Sequence, residues 1–328
     1  MTGVSIIICT YNGVEKLPAT LKYITLLKSQ YPWELIVVDN ASKDDTYIFC
    51  KDFLERSNLA FKVLKFDTPG KMYAFWHGLA HAQYDYILDC DDDNHLAENY
   101  IEIGLSLLKT EHKIGALGGC GHPVVSVPLP DWFSAFSKSY AVGPQARQNG
   151  PLTGNRLELY GAGCFFKKEA LIKLQKLGFQ SALSCRKGDT LSSGGDTELC
   201  MAIHRLGYDI WYSGELRFGH AIPASRLTWE YYLRLKEGIA SSFPLLEAYR
   251  YNEFSSGRAF ELFLWRKYFI AIKGYIKLTV TLLFYYSREA QVARRVCKTK
   301  IASFGSNYSL ALKSYSTLKR IFSSTLLS

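Results

Sequence analysis

The sequence predicts an α/β fold: a mostly parallel central sheet flanked by helices, followed by a C-terminal helical extension. Three observations predict it. Short β-branched or aromatic runs alternate with stretches of helical spacing from Val4 to Leu88. Polar clusters close three of those runs, at Thr10 to Gly13, Asp39 to Ser42 and Asp89 to Asn94, where ligands of such sheets collect. The last quarter then changes character, becoming basic and strongly apolar at once.

Taken in order, strands are expected at Val4 to Cys9, Glu34 to Val38, Phe61 to Phe66 and Tyr84 to Leu88. Helices are expected between them at Val14 to Leu27, Asp44 to Arg56 and Lys71 to Ala82, with Ser42 capping the second and a further helix starting near Ala97. From Gly118 to Gly163 prolines and aromatics interleave, including Trp132, Phe133, Phe136 and Tyr140. This reads as a long loop with a short helix, serving as a lid or binding wall or simply crossing the surface. Order returns with a strand at Gly161 to Phe166, helices at Lys168 to Leu177 and Thr197 to Leu206, and a strand at Ile210 to Tyr212.

With 328 residues, 48% hydrophobic and 21% charged, the chain is globular rather than disordered. Its net charge of +9 is unevenly spread. From Ser256 onward there are 13 Lys and Arg against Glu261 and Glu289, whereas the preceding 255 residues hold 26 basic and 28 acidic side chains. The body and the tail therefore face different partners. Between Phe260 and Tyr286 the apolar run is broken by Arg266, Lys273 and Lys277 on one helical face, which predicts an amphipathic helix. It is expected to lie in an anionic membrane interface, with packing on the body as the alternative, because its uncharged stretch is too short to span. Nucleic acid is disfavoured as a partner, since the basic residues accompany a greasy face rather than a polar groove.

Eight scattered cysteines, without paired metal-type spacing, are expected to be reduced. No basic segment followed by a long apolar one opens the chain, so the expected place of work is cytoplasmic, peripheral on the membrane.

The densest chemical signal is Asp89, Asp91, Asp92 and Asp93, four carboxylates in five positions at a strand end. Uncompensated, they would raise one another's pKa, and a hard divalent cation would turn the same cluster into a site. The plain alternative is a turn that caps the following helix.

Four segments together, Val4 to Asn12, Glu34 to Thr46, the acidic cluster and Gly194 to Cys200, resemble the family 2 glycosyltransferases in order and spacing. The resemblance covers residues 4 to about 235. It implies the GT-A (Rossmann-like) fold, a nucleotide-sugar donor and transfer with inversion to a glycan or lipid-linked glycan acceptor. Residues 1–235 would form the transferase domain, 1–117 its nucleotide-sugar half and 118–235 its acceptor half, with 236–328 the basic amphipathic helical region.

Within that frame, Asp91 and Asp93 are the expected ligands of Mn2+ or Mg2+; a neighbouring carboxylate would touch ribose, and with the register open by one residue both Asp91 and Asp92 are candidates for donor contact. Asp89 aligns with the first carboxylate of a looser pattern. Asp39 is placed on the nucleotide base, or else turns the chain, while Thr10, Tyr11 and Asn12 form the facing wall. Lys71 reaches the donor phosphates or merely starts a helix. Trp76 stands where the family commonly has asparagine. Asp196, after a glycine pair, is the expected catalytic base, with a helix cap as its alternative, and Glu198 is structural. His220 completes the metal shell or packs in the core, and Arg226 clamps phosphate or makes an ion pair. Arg226 to Trp229 gives no match to the Gln-x-x-Arg-Trp motif of processive synthases, so a single addition is expected. A nucleotidyltransferase and a silent sugar-nucleotide scaffold are the competing readings.

Overall fold

A computed structural model of the protein describes residues 1–154, 157–183, 193–251 and 256–323. Cys185 lies outside the described residues, whereas Cys9, Cys50, Cys90, Cys120, Cys164, Cys200 and Cys297 are all free thiols.

The first half is built as the apolar spacing predicts. Strands β1 (Val4–Thr10), β2 (Trp33–Asp39), β3 (Phe61–Lys65) and β4 (Tyr86–Asp91) alternate with helices α1 (Leu17–Thr25), α2 (Thr46–Glu55) and α3 (Lys71–His81). The strands lie side by side in the order β3-β2-β1-β4, all parallel. Every residue of β1 is buried, because successive side chains enter opposite apolar layers. Ile7, Ile36 and Ile87 face one layer with Met72 and Phe75 of α3, while Ile6, Ile8, Leu35 and Leu88 face the other with Leu17, Leu21 and Leu54.

Beyond β4 the sheet becomes mixed in direction. A three-residue β5 (Asn94–Leu96) follows the acidic turn, and α4 (Tyr100–Thr110) leads into β6 (Ile114–Val124). The remaining body elements are α5 (Phe133–Phe136), β7 (Gly150–Pro151), β8 (Cys164–Lys167), α6 (Lys168–Lys176), α7 (Gly195–Arg205) and β9 (Asp209–Ala221). The sheet continues β4-β8-β6-β9-β5, with β8 antiparallel to both neighbours and β6 parallel to β9. Two expectations shift here. The loose segment from Gly118 begins as β6, and the strand expected over Ile210 to Tyr212 runs on to Ala221, irregular in its register with β6 near Gly118.

Ser42 is not a helix cap. α2 starts at Thr46, whose N–H donates to Asp44 Oδ1 at 3.2 Å, while Ser42 Oγ accepts the N–H of Asn12. None of the four clustered carboxylates caps α4, which begins beside Asn99 without a side-chain bond.

Of the C-terminal helices, α9 (Phe243–Arg250), α10 (Gly257–Phe284) and α11 (Arg288–Ser323) cover the α3 side of the sheet, whereas α8 (Trp229–Ser241) packs in a separate aromatic cluster with Trp132, Phe133 and Tyr140. Phe260, Leu264, Tyr315 and Phe322 join the same apolar layer as Leu199 and Leu245. Position 235, expected as a domain boundary, falls inside α8, where Leu233 and Leu235 are buried. Through these residues α8 packs against Trp132, Phe133 and Tyr140 of the preceding segment. On α10, Arg266, Lys273 and Lys277 do share the outward face, but so do Leu262, Trp265, Phe269 and Ile276. The helix does not split into a polar and an apolar side.

Candidate active site

Parallel register sets the site. Thr10 pairs with Asp39 across β1 and β2, and Cys9 with Asp91 across β1 and β4, so three of the expected polar positions line the carboxyl ends of adjacent strands. The loops beyond are locked together by polar bonds. Asn12, in a left-handed conformation at φ 47°, receives the Lys43 N–H on its side-chain oxygen at 2.8 Å. Asp39 is buried and accepts the Ser42 N–H at 3.2 Å. Asn40 holds the next loop by donating to the Phe66 and Thr68 carbonyls and accepting the Gly70 N–H, which fixes the start of α3.

That start presents Lys71. Its ammonium lies 2.5 Å from Asp91 Oδ1 and 3.0 Å from Asp89 Oδ2, within an ion cluster largely shielded from solvent. Burial disfavours the Lys71 cation, but Asp89 and Asp91 outweigh it and hold its pKa well above the ordinary value. Burial pushes the Asp89 carboxyl up to about 7, against the pull of Lys71 and with repulsion from Asp91. The other Asp89 oxygen is buried without a hydrogen-bond partner.

The remaining two carboxylates turn elsewhere. Asp92 accepts from the Thr10 hydroxyl at 2.8 Å and pairs with Lys16 at 3.5 Å. Asp93 lies 3.3 Å from both His220 Nε2 and Arg226, and His220 Nδ1 is bonded to the Tyr140 carbonyl at 2.6 Å. Burial works against the His220 cation, yet Asp93 prevails and raises its pKa.

Asp196 sits in the first turn of α7, behind Gly194, which takes the flanking position at φ 114°. One carboxylate oxygen accepts the Thr197 N–H at 2.8 Å and the other the Gly161 N–H at 3.0 Å. A Cβ built on Gly161 would meet Asp196 Oδ2 at 3.3 Å and Lys71 Nζ at 3.5 Å. Asp196 therefore adjoins the Lys71 cluster. Burial raises its carboxyl pKa, opposed by the Thr197 N–H, Lys71 and the Gly161 N–H. Glu198 instead enters the core, accepting from the Ala182 and Leu183 N–H groups and the Tyr249 hydroxyl.

The fold thus brings Thr10, Asp39, Lys71, Asp91, Asp92 and Asp196 to one edge, with Tyr11 exposed beside them. Asp93, His220 and Arg226 form a separate group. Sequence reasoning missed Gly161, Asn40 and Lys16; only Asn40, an amide in a strand-end turn, carried a readable signal. Trp76 turns toward Ser181, donating to its hydroxyl at 3.2 Å.

A hard divalent ion needs carboxylate oxygens. Asp91 is the most open of the four, its side chain 31% exposed against 11% for Asp93. Among the described residues, no group of three or more His, Cys, Asp or Glu is placed to hold a metal, so Asp91, Asp93 and His220 do not form one ligand set. The acidic cluster is compensated from within, by Lys71, Lys16, Arg226 and His220. Asp91 fits a metal as a single ligand.

The model of glycosyl transferase family 2 matches residues 5–175, more than half of the chain. The poly-beta-1,6-N-acetyl-D-glucosamine synthase of Staphylococcus aureus strain COL is 26% identical over 119 residues, covering 36% of this chain and 28% of the synthase. Chondroitin synthase of Escherichia coli is 31% identical over 121 residues, covering 35% of this chain and 17% of the synthase. These matches span less than a third of the relatives' length. Among solved structures, the mannosyltransferase PcManGT of Pyrobaculum calidifontis, in complex with GDP-Man and Mn2+, shares the fold at TM-score 0.57 and 18% identity, over 99% of this chain and 86% of that one. TarS of S. aureus in complex with UDP-GlcNAc does so at TM-score 0.52 and 14% identity, over 99% and 92% of the respective chains. The strand-edge site, the family match and the shared GT-A architecture agree: the chain belongs to glycosyl transferase family 2 and is a glycosyltransferase.

Proposed function

We propose that the protein moves one sugar, with inversion, from a nucleoside-diphosphate sugar to a hydroxyl of a glycan or lipid-linked glycan in polysaccharide assembly. The reading places its work in the cytoplasm, peripheral on the membrane, supported by the basic last quarter. The observation that carries the chemistry is the juxtaposition of Lys71, Asp91 and Asp196 at the carboxyl ends of the strands.

In this reading the nucleotide base lies against Asp39, Thr10 and Tyr11, and ribose against Asp92. Asn12 holds that wall in shape through Lys43. Lys71 turns from Asp91 to the donor diphosphate, where an ammonium favours the negative charge that grows as the sugar-oxygen bond breaks. Asp196 takes the acceptor hydroxyl's proton while that oxygen attacks the anomeric carbon from the opposite face. Its raised pKa suits a base that acts nearer neutrality. A divalent ion, Mn2+ or Mg2+, would supply Lewis-acid neutralisation of the diphosphate, held by Asp91. Asp93 and His220 can join it only by giving up their mutual contact. Arg226, tied to Asp93, adds positive potential. The Mn2+ and GDP-Man of PcManGT and the UDP-GlcNAc of TarS support both donor class and metal.

A panel of UDP- and GDP-sugars, screened by thermal shift and donor hydrolysis with Mn2+ or with chelator, tests the reading. Stabilisation by one donor and release of nucleoside diphosphate, both lost with chelator, are expected. Pyrophosphate release would mark a nucleotidyltransferase, and donor binding without turnover on any acceptor a scaffold.

A further inference from the structure

The outward face of α10 is the largest feature that the transfer chemistry leaves unexplained. Leu262, Trp265, Phe269, Ile270, Ile276, Val280, Leu283 and Phe284 are all exposed along it, reaching 87% at Phe284, and Tyr285 and Tyr286 continue the patch into the elbow before α11. From Leu262 to Phe284 the face runs about 33 Å at helical rise. Soluble surfaces rarely carry apolar patches of this extent without a partner.

Charge identifies the partner. The cations Arg266, Lys273 and Lys277 are interspersed on the same face, and the one carboxylate of α10, Glu261, is engaged by the Tyr308 hydroxyl. A second copy related by a two-fold axis would bring these cations toward their own counterparts, which disfavours self-association. An anionic bilayer suits both components: rings and aliphatic side chains enter the acyl boundary while Lys and Arg reach back to lipid phosphates. Among the described residues no helix is long and apolar enough to cross a membrane.

The elbow is also joined to the site. Arg288 pairs with Asp131 at 2.9 Å, and Gln291 accepts from the Trp229 indole at 2.8 Å and the Tyr286 hydroxyl at 3.2 Å. Val292 packs in the aromatic cluster of Trp132, Phe133, Tyr140 and Tyr232. Tyr140 in turn holds His220 through its carbonyl and the Arg226 carbonyl through its hydroxyl. One aromatic layer separates the greasy elbow from the Asp93 group.

We infer that the outward face of α10 lies in the headgroup region of an anionic bilayer, with Leu283 to Tyr286 deepest. The elbow thereby holds the Asp93 side of the site at the lipid surface, so the acceptor is an amphiphile whose hydroxyl is presented from the membrane. The docking stands on the exposed face alone; the acceptor class rests on the transferase reading.

Flotation of the full chain with vesicles containing about 30% phosphatidylglycerol, against pure phosphatidylcholine, tests the docking. The wild type is expected to float with the anionic vesicles only, and the pair L283E/F284E to lose at least about tenfold in partitioning. Because both positions are exposed, the pair should keep the wild-type melting temperature and the same donor-induced thermal shift. Failure of the wild type to float, equal flotation of the pair, or a wild-type dimer that the pair dissociates overturns the docking. A chain that floats but is stabilised by no donor overturns the transferase reading alone.

Discussion

Asp91 and Asp93 stand two residues apart, yet they inhabit different environments. Asp91 ends a parallel strand, shares one lysine with Asp89 and is the more open. Asp93 lies past the strand end, between an imidazole of β9 and the guanidinium of Arg226, and is mostly buried. The difference teaches that a run of carboxylates in sequence is not one cluster in space, because the chain turns at Asp92 and sends its neighbours to opposite sides. In the proposed function the first group exchanges its cation for the donor, while the second ties Asp93 to β9 and to Arg226.

The sharpest break of this comparison comes from the Asp91 side. Asp196→Asn is expected to lower kcat by about 10²- to 10⁴-fold, the usual worth of a general base, while the donor-induced thermal shift stays. The wild-type rate should also fall toward acid with an apparent pKa above the ordinary carboxylate value, since burial raises Asp196 and the base acts only when deprotonated. Unchanged turnover in the variant would remove Asp196 from the chemistry.

Lys71→Met should have the next largest effect and separate two roles. Donor affinity is expected to fall about 10- to 100-fold, as for loss of a charge-assisted contact, whereas Mn2+ binding without donor should tighten because Asp89 and Asp91 lose their cation. Calorimetry with metal alone and with nucleotide reads both, and metal binding that is equal or weaker would refute the exchange. Arg226→Met should act mainly on folding, costing about 1–3 kcal/mol by removing the guanidinium that lies 3.3 Å from the buried Asp93, with a smaller change in donor affinity than Lys71→Met. Denaturant unfolding checks it, and a larger loss of donor affinity than in Lys71→Met would reverse the assignment of the two groups.

Much of the first half is legible because both faces of β1, β2 and β4 are buried, so these strands stand out as apolar runs, and α1 to α3 by helical spacing. β9 reads too short because Ser213-Gly214 interrupts its apolar run after Tyr212, at the register shift against β6, although the alternation of Glu215 and Arg217 with buried Leu216 and Phe218 beyond it is a strand pattern. α11 was not singled out at all, although Phe304, Ala311, Tyr315, Leu318 and Phe322 recur at helical intervals and are all buried. In the site, the aspartates could be named but not sorted. The partners that sort them, Lys16, Lys71, His220 and Arg226, come from four distant stretches, and no local pattern reveals which cation faces which carboxylate.

The burial of Phe260, Tyr315 and Phe322 beside Leu199 and Leu245 has a practical consequence. The last two helices are a wall of the protein, not a detachable anchor. Cutting the chain after Phe254 would strip cover from the layer behind α7 and yield aggregates whether or not lipid is the natural neighbour. Loss of sedimentation with vesicles in such a fragment would carry no meaning, and engineered versions of the enzyme should keep the hairpin and alter its outer surface instead.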